Sequence, residues 1–193
     1  MLVLVVGPSG AGKDTLLGAV KAHLADDRRF RFVRRAVTRP PYGDAANEES
    51  VDEAEFYAGR DAAAYAFWWQ AHGIFYGVPA DIANDLGAGR VVIASVSRTV
   101  LAEAATRFSV RVVEITAPHD VLARRLAARG REDAAQVAER LVRSVPLPAG
   151  LDVTVIVNDG SVVEGARALL AHLREIADGA NQLAATPRQG SAP

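Results

Sequence analysis

Short apolar runs alternate with amphipathic stretches along most of the chain. The first run, Leu2–Val6, contains no polar residue and ends at a glycine, which is typical of a strand buried on both faces. The stretch from Lys13 to Leu24 then repeats leucine and valine at helical spacing. The same patterns predict strands at Arg31–Val37, Val91–Ala94, Val110–Ile115 and Val153–Val157, and helices at Ala80–Leu86, Val100–Arg107, Asp120–Ala128, Asp133–Val145 and Val162–Ile176. This order predicts an α/β fold, with a parallel sheet covered by helices on both faces.

Residues 39–79 interrupt the alternation. They contain Pro40 and Pro41, an acidic cluster between Glu48 and Glu55, and then a series of aromatic residues that ends at Tyr76. We interpret this stretch as a small lobe inserted into a single domain of residues 1–177. Residues 178–193 are mostly small and polar, and we expect them to form a flexible tail.

Composition narrows the classes of protein that the chain can belong to. It has 193 residues, of which 50% are hydrophobic and 23% charged, as in an ordinary globular domain. No apolar run approaches the roughly 20 residues that span a bilayer, and the apolar start lacks the basic region of a signal peptide, so we expect a cytoplasmic protein without membrane contact. The absence of cysteine excludes disulfides, thiolate–metal sites and cysteine nucleophiles. A net charge of -1 disfavours broad nucleic-acid binding.

The clearest motif lies between the first strand and the first helix. Gly7-Pro8-Ser9-Gly10-Ala11-Gly12-Lys13 has the spacing G-x-x-x-x-G-K of a phosphate-binding loop. Its glycines allow backbone N–H groups to surround phosphate oxygens, and the helix N-terminus adds a partial positive charge. Lys13 would place a full positive charge at the β- and γ-phosphates of ATP.

The residue after the lysine departs from this motif. A serine or threonine usually follows and binds Mg²⁺ through its hydroxyl, but here Asp14 follows, and then Thr15. A carboxylate is also a good Mg²⁺ ligand, so we predict that Asp14 and Thr15 hold the metal. The alternative is that Asp14 only stabilises the positive end of the helix.

Six arginines lie within about residues 124–143, where a lid is expected. Phosphoryl transfer depends on positioning and on neutralising charge, so we predict catalytic roles for Arg129, Arg131 and Arg140. A solvated basic face is the alternative, and we expect it for Arg124 and Arg125. Arg39 follows the second predicted strand and is a candidate ligand for the acceptor phosphate.

Taken together, these segments resemble the guanylate-kinase-like branch of the P-loop kinases through about residue 177. The matching segments are Gly7–Thr15, Thr38–Pro40, Gly73–Pro79, Arg125–Gly130, Arg140–Leu141 and Val155–Asp159. The resemblance implies a five-stranded parallel sheet with a lid and an acceptor-binding lobe. It also implies that Asn158 and Asp159 lie near the ATP base, and that Arg39 and Tyr76 hold the acceptor phosphate.

Departures from the guanylate kinase pattern bear on the acceptor. Carboxylates read guanine in those enzymes, but apolar Phe67, Ala94 and Val96 stand at the corresponding positions here, and Val78 replaces a hydroxyl residue. Tyr42 replaces a second phosphate-binding arginine. A site without these polar partners should discriminate poorly for guanine.

The same departures resemble a narrower family, the ribose 1,5-bisphosphate phosphokinases. This resemblance is carried by the Gly-Lys-Asp loop, Trp68…Val78, Ser97-Arg98, Arg129–Glu132 and Asn158–Ser161. It implies ATP-dependent conversion of ribose 1,5-bisphosphate to 5-phosphoribosyl 1-pyrophosphate in phosphonate utilisation, with Arg98 as an additional substrate contact.

Two alternatives to this function remain at the level of the sequence. One is a guanylate or other nucleoside monophosphate kinase, and the other is a non-catalytic guanylate-kinase-like binding module. Retention of Lys13 and of the lid arginines argues against the second. The expected partners are ATP and a small sugar phosphate, and the oligomeric state is open, with a homodimer as one option.

Overall fold

The computed structural model describes residues 1–40, 47–128 and 146–185, with side chains described as far as residue 180. Strands and helices are numbered in chain order over these residues. The strands are β1 (Leu2–Val6), β2 (Phe30–Phe32), β3 (Arg35–Val37), β4 (Glu48–Ser50), β5 (Tyr65–Ala71), β6 (Ile74–Pro79), β7 (Val91–Ser95), β8 (Val110–Thr116) and β9 (Val153–Val157). The helices are α1 (Lys13–His23), α2 (Glu53–Asp61), α3 (Ile82–Gly87), α4 (Leu101–Arg107), α5 (His119–Ala127) and α6 (Val162–Ala185).

The main sheet has five parallel strands in the order β2-β7-β1-β8-β9. Its central strand β1 is completely buried, because Val3 and Val5 pack into one apolar core and Leu2 and Leu4 into another on the opposite face. Helices α1 and α6 contribute to the first core and α3 and α4 to the second. The predicted five-stranded parallel sheet with helices on both faces is therefore confirmed.

The expected second strand, Arg31–Val37, is two strands that belong to two sheets. β2 pairs with β7 in the main sheet, whereas β3 pairs with β4 and β6 in a separate four-stranded sheet of order β4-β3-β6-β5. The prediction of a single continuous strand was therefore wrong. The chain changes sheets after Val33, and this change depends on pairing with distant residues that local periodicity does not reveal.

The second sheet and α2 form the inserted lobe, which begins at β3 and so includes residues before Arg39. Part of the acidic cluster starts α2, because Asp52 and Glu55 form a reciprocal capping box. Phe56 is the buried residue of this helix and stacks on Tyr65 at 4.8 Å between ring centroids. The lobe thus has an aromatic core of its own.

The C-terminal segment differs from the expected tail. Helix α6 continues to Ala185, eight residues beyond the predicted domain end at residue 177. Leu169, Leu173 and Ile176 anchor the helix against the main sheet. Three of the eight residues that extend it are alanine, which has the highest helix propensity. Within the described residues, no helix is long and apolar enough to cross a membrane.

An ion-pair network fastens α3 to the edge of the main sheet. Asp85 accepts hydrogen bonds from Arg31 on β2 and from Arg90, with 2.5 Å between Asp85 Oδ1 and Arg90 Nη1. Burial alone would raise the pKa of Asp85, but these hydrogen bonds and the two positive charges hold it below its ordinary value.

We expect Asp85→Asn to destabilise the fold at pH 7 by about 1–2 kcal/mol, because charge-assisted hydrogen bonds are lost. The folded pKa lies below the unfolded value of about 3.9, so this stabilisation is present above that value and is lost as the pH falls through the folded pKa. Urea unfolding at pH 7 and below pH 4 should show the difference between the two proteins shrinking in acid. Asp61→Asn, which removes an exposed carboxylate paired with Arg60, should change little. An equal deficit at both pH values would contradict this account.

Candidate active site

The loop between β1 and α1 has the backbone geometry of a phosphate-binding loop. Gly7, Gly10 and Gly12 all have positive φ angles, at 146°, 85° and 86°. A methyl group at Gly7 would overlap the carbonyl oxygen of Ile115 on β8, so this position accepts only glycine. Gly12 caps α1 without a side chain, which leaves the first N–H groups of the helix without a side-chain cap.

Lys13 lies over this loop. Its Nζ donates hydrogen bonds to the carbonyl oxygens of Gly7 at 2.7 Å and Pro8 at 3.0 Å. The ammonium group is therefore held at the inner side of the loop, where a bound phosphate would meet it.

A cleft of about 460 Å³ separates the loop from the inserted lobe. Its walls come from the loop and α1, from β3 to β6 of the lobe, from the end of β7, and from α5. The lining residues are Gly7, Ser9, Gly10, Gly12, Lys13, Asp14, Arg35, Arg39, Glu48, Trp69, Ala71, His72, Ile74, Tyr76, Ser95, Val96, Ser97 and Leu126. The structure thus brings five of the predicted loop residues to one cleft with Asp14, Arg39 and Tyr76, whereas Pro8 and Ala11 do not line it.

A carboxylate holds two arginines together on the lobe side of the cleft. Glu48 accepts a hydrogen bond from Arg35 Nη2 at 2.8 Å through Oε1, and one from Arg39 Nη2 at 2.5 Å through Oε2. Burial alone would lower the pKa of Arg39, but Glu48 raises it above its ordinary value, so this arginine stays charged. Arg35 also donates to the carbonyl oxygen of Ser95 at 3.0 Å and lies over the Tyr76 ring.

The two predicted metal ligands occupy different environments. The Asp14 carboxylate lines the cleft beside Lys13, is 67% exposed, and lies 3.6 Å from Arg35 Nη2. The Thr15 side chain is exposed and does not line the cleft. Asp14 is therefore the better placed of the two.

Asn158 lies under the phosphate-binding loop. Its side chain is buried and donates to the carbonyl oxygen of Ala11 at 2.8 Å, which braces the loop from below. Arg125 donates to the Asn158 carbonyl oxygen at 2.9 Å and is half-buried beside Gly12. Arg125 was expected on the surface and is instead half-buried against the loop. Arg124 is exposed, as expected, and it pairs with Asp120. Asp159 is exposed outside the cleft lining.

Arg98 is not brought to the cleft. Its guanidinium forms an ion pair with Glu114 on β8, on the face of the main sheet that carries α4. Arg129, Arg131 and Arg140 lie outside the described residues, together with most of the predicted lid. Tyr42 lies outside them as well.

The positions compared with guanine-reading residues are apolar and mostly closed off. Phe67, Val78 and Ala94 are completely buried in the second core. Val96 lines the cleft but offers no hydrogen-bonding group. No carboxylate stands at these four positions to bind a guanine edge.

Sequence reasoning missed three residues of this site. Arg35 and Glu48 meet in the cleft only because β3 and β4 pair as neighbours. A charged residue within the β-alternating segment Arg34–Val37 was the available signal for Arg35, and Glu48 was taken as part of the general acidic cluster. Arg125 required knowledge of how α5 crosses the loop.

A phosphate-binding loop on a five-stranded parallel sheet, with an arginine-bearing lobe opposite, defines a P-loop kinase. Guanylate kinase from Anaplasma phagocytophilum has a similar fold, with a TM-score of 0.63 and 19% identity over 91% of this chain and 85% of that one. The ribose 1,5-bisphosphate phosphokinase of Methylobacterium radiotolerans is 49% identical over 176 residues, covering 90% of this chain and 97% of the relative. That of Brucella melitensis is 46% identical over 177 residues, covering 91% and 92%. The chain belongs to the ribose 1,5-bisphosphate phosphokinase family. No family model matches it.

We expect Gly7→Ala to weaken binding of a non-hydrolysable ATP analogue at least about tenfold, since the added methyl group displaces the loop from β8. Gly18→Ala in α1 is the matched control, because a methyl group there meets no atom within 4 Å. That control should stabilise the protein by about 1 kcal/mol through helix propensity. Calorimetric titration of both variants tests this, and unchanged analogue binding by Gly7→Ala would contradict the assignment of the loop.

Proposed function

We propose that the chain transfers the γ-phosphoryl group of ATP to the 1-phosphate of ribose 1,5-bisphosphate, which gives 5-phosphoribosyl 1-pyrophosphate and ADP. The observation that carries this proposal is a cleft with a phosphate-binding loop on one wall and two arginines on the other. The identity of the acceptor comes from the relatives, which are named ribose 1,5-bisphosphate phosphokinases. This acceptor has two phosphates and no base, in keeping with the apolar residues at the four positions compared with guanine-reading residues.

On the donor side, the loop N–H groups and Lys13 bind the ATP phosphates. An oxygen of the acceptor 1-phosphate attacks the γ-phosphorus, and the bond to the β,γ-bridging oxygen breaks, so that ADP leaves with that oxygen. The acceptor phosphate is already an anion at neutral pH, so no general base is required. Lys13 stabilises the charge that moves to the bridging oxygen.

The residues near the loop fit a Mg²⁺ ion. Protein sites for Mg²⁺ beside nucleotide phosphates use one or two carboxylates, with water and phosphate oxygens completing the shell. Asp14 supplies such a carboxylate, exposed and next to Lys13. The described residues contain no larger cluster of metal-binding side chains. Bound Mg²⁺ would neutralise phosphate charge, with Asp14 as its protein ligand and Thr15 as the second predicted one.

On the acceptor side, Arg39 and Tyr76 are the proposed phosphate ligands. Both line the cleft across from the loop, and the charge of Arg39 is secured by Glu48. Arg129, Arg131 and Arg140 are proposed to close over the transferred group, and Asn158 and Asp159 to lie toward the ATP base. A role in phosphonate utilisation and a cytoplasmic location also remain predictions.

The proposal is tested by incubating the protein with Mg²⁺ and ATP, offering ribose 1,5-bisphosphate or GMP separately, and measuring ADP and sugar pyrophosphate. We expect product from the sugar bisphosphate, and loss of at least about a thousandfold in kcat for Lys13→Met, because the main charge on the transferred phosphate is removed. Arg167→Met, which removes an exposed charge from α6, should retain activity. ADP formed with GMP alone would identify a nucleoside monophosphate kinase. No turnover of either acceptor would favour a binding module.

We expect Asp14→Asn to raise the free Mg²⁺ concentration for half-maximal rate about tenfold or more, because a neutral amide binds Mg²⁺ more weakly than a carboxylate does. Thr15→Val should have a smaller effect, since its side chain lies outside the cleft lining. Initial rates across a Mg²⁺ titration at saturating ATP provide the measurement. An unchanged Mg²⁺ requirement in Asp14→Asn would show that Asp14 acts only on the helix N-terminus.

A further inference from the structure

We propose that Arg35 binds the attacking phosphate of the acceptor, together with Arg39. This inference rests on the proposed function and identifies a further specificity-determining residue for the same site. The residue is buried in the wall between the main sheet and the lobe, and its guanidinium lines the cleft.

The position of Arg35 places it at the reacting end of the cleft. Its Nη1 donates to Ser95 at the end of β7, and Ser95 pairs with Val5, two residues before Gly7 of the loop. Its Nη2 lies 3.6 Å from Asp14 Oδ1 on the first turn of α1. An acceptor phosphate that approaches the γ-phosphorus at this loop must therefore pass close to Arg35.

The charges around Arg35 leave it able to accept an anion. Glu48 is shared between Arg35 and Arg39, so one carboxylate balances two guanidinium charges. Asp14 is the other carboxylate that the described residues place beside Arg35, with its Oδ1 3.6 Å from Arg35 Nη2, but it is largely exposed and is the proposed Mg²⁺ ligand. When Asp14 binds Mg²⁺, Glu48 is the described carboxylate left to both guanidinium groups, so an anionic ligand at this buried wall is favourable.

The donor groups of the two arginines lead to the same conclusion. Arg35 and Arg39 each retain a buried Nε–H with no hydrogen-bond partner in the described part of the chain. Buried donors of this kind are normally satisfied. A phosphate is a suitable partner for a pair of guanidinium groups, because its oxygens can accept several charge-assisted hydrogen bonds at once.

A structural role is the competing explanation, since Arg35 joins the main sheet to the lobe through Ser95 and Glu48. The two roles predict different effects of an Arg35 substitution on ligand affinity. Loss of a structural tie disturbs every ligand of the cleft to a similar extent, whereas loss of a phosphate ligand weakens only those acceptors that carry the attacking phosphate.

The test is equilibrium titration of Arg35→Met and Arg35→Lys with ribose 1,5-bisphosphate, ribose 1-phosphate, ribose 5-phosphate and a non-hydrolysable ATP analogue. We expect Arg35→Met to weaken the two ligands with a 1-phosphate about tenfold or more, and the other two by less than about twofold. Arg35→Lys should recover part of the affinity, because it keeps the charge and loses the two-pronged contact. Arg34→Met is the control, since Arg34 is exposed and, within the described residues, its guanidinium donates to the backbone carbonyl of Glu48 rather than to a carboxylate.

Unchanged binding of ribose 1,5-bisphosphate by Arg35→Met, or an equal loss for all four ligands, would overturn the inference. If Arg35→Met does not fold, Arg35→Lys decides, because full wild-type selectivity for the 1-phosphate in that variant would also overturn it. The titrations need no turnover, so the two proposals fail separately. Binding that depends on Arg35 without product formation would refute the proposed function alone, and product formed by Arg35→Met at the wild-type acceptor KM would refute the inference alone.

Discussion

The close approach of two backbones at the end of β1 underlies the whole site. Gly7 turns the chain directly against the carbonyl oxygen of Ile115, where no side chain fits. This contact starts the phosphate-binding loop at the carboxyl edge of the sheet and directs α1 back across it. Asn158 then supports the loop from beneath through Ala11. The donor side of the cleft is therefore already shaped without a ligand, so little entropy is lost in arranging its N–H groups.

The acceptor side is organised by charge rather than by backbone geometry. Arg35 on β3, Arg39 two residues after β3 and Glu48 on β4 form this charged group, and Arg35 joins it to the main sheet at Ser95. The lobe has its own sheet and its own aromatic core. Substitutions in the lobe can therefore alter which acceptor is bound without disturbing the main sheet and its loop. Phe67 on β5 and Val78 on β6 are buried in the second core, and Val96 follows β7 at the cleft, so these apolar replacements all lie outside the loop.

The parts of the fold that were predicted correctly depend on local patterns. β1 is a continuous apolar run and β7, β8 and β9 are rich in valine and isoleucine, so each was located to within a residue. The loop was recognisable because its glycines and lysine are adjacent in sequence. The division of Arg31–Val37 between two sheets was missed because hydrophobic periodicity indicates a strand but not the strand with which it pairs. Helix α2 was missed because its capping box was hidden in a run of acidic residues.

The amino-acid sequence by itself determined the class of fold, the phosphate-binding loop and the lack of guanine-reading carboxylates. Each of these depends on the residues of a continuous segment or on the residue type at a single position. The tertiary structure alone decided which arginines share the cleft. Arg98, predicted to contact substrate, pairs with Glu114 and does not line the cleft. Arg35 and Arg125 were not predicted, and the structure places Arg35 at the cleft and Arg125 beside the loop. The destination of a long charged side chain depends on the partners that packing brings near it, and those partners are distant in sequence.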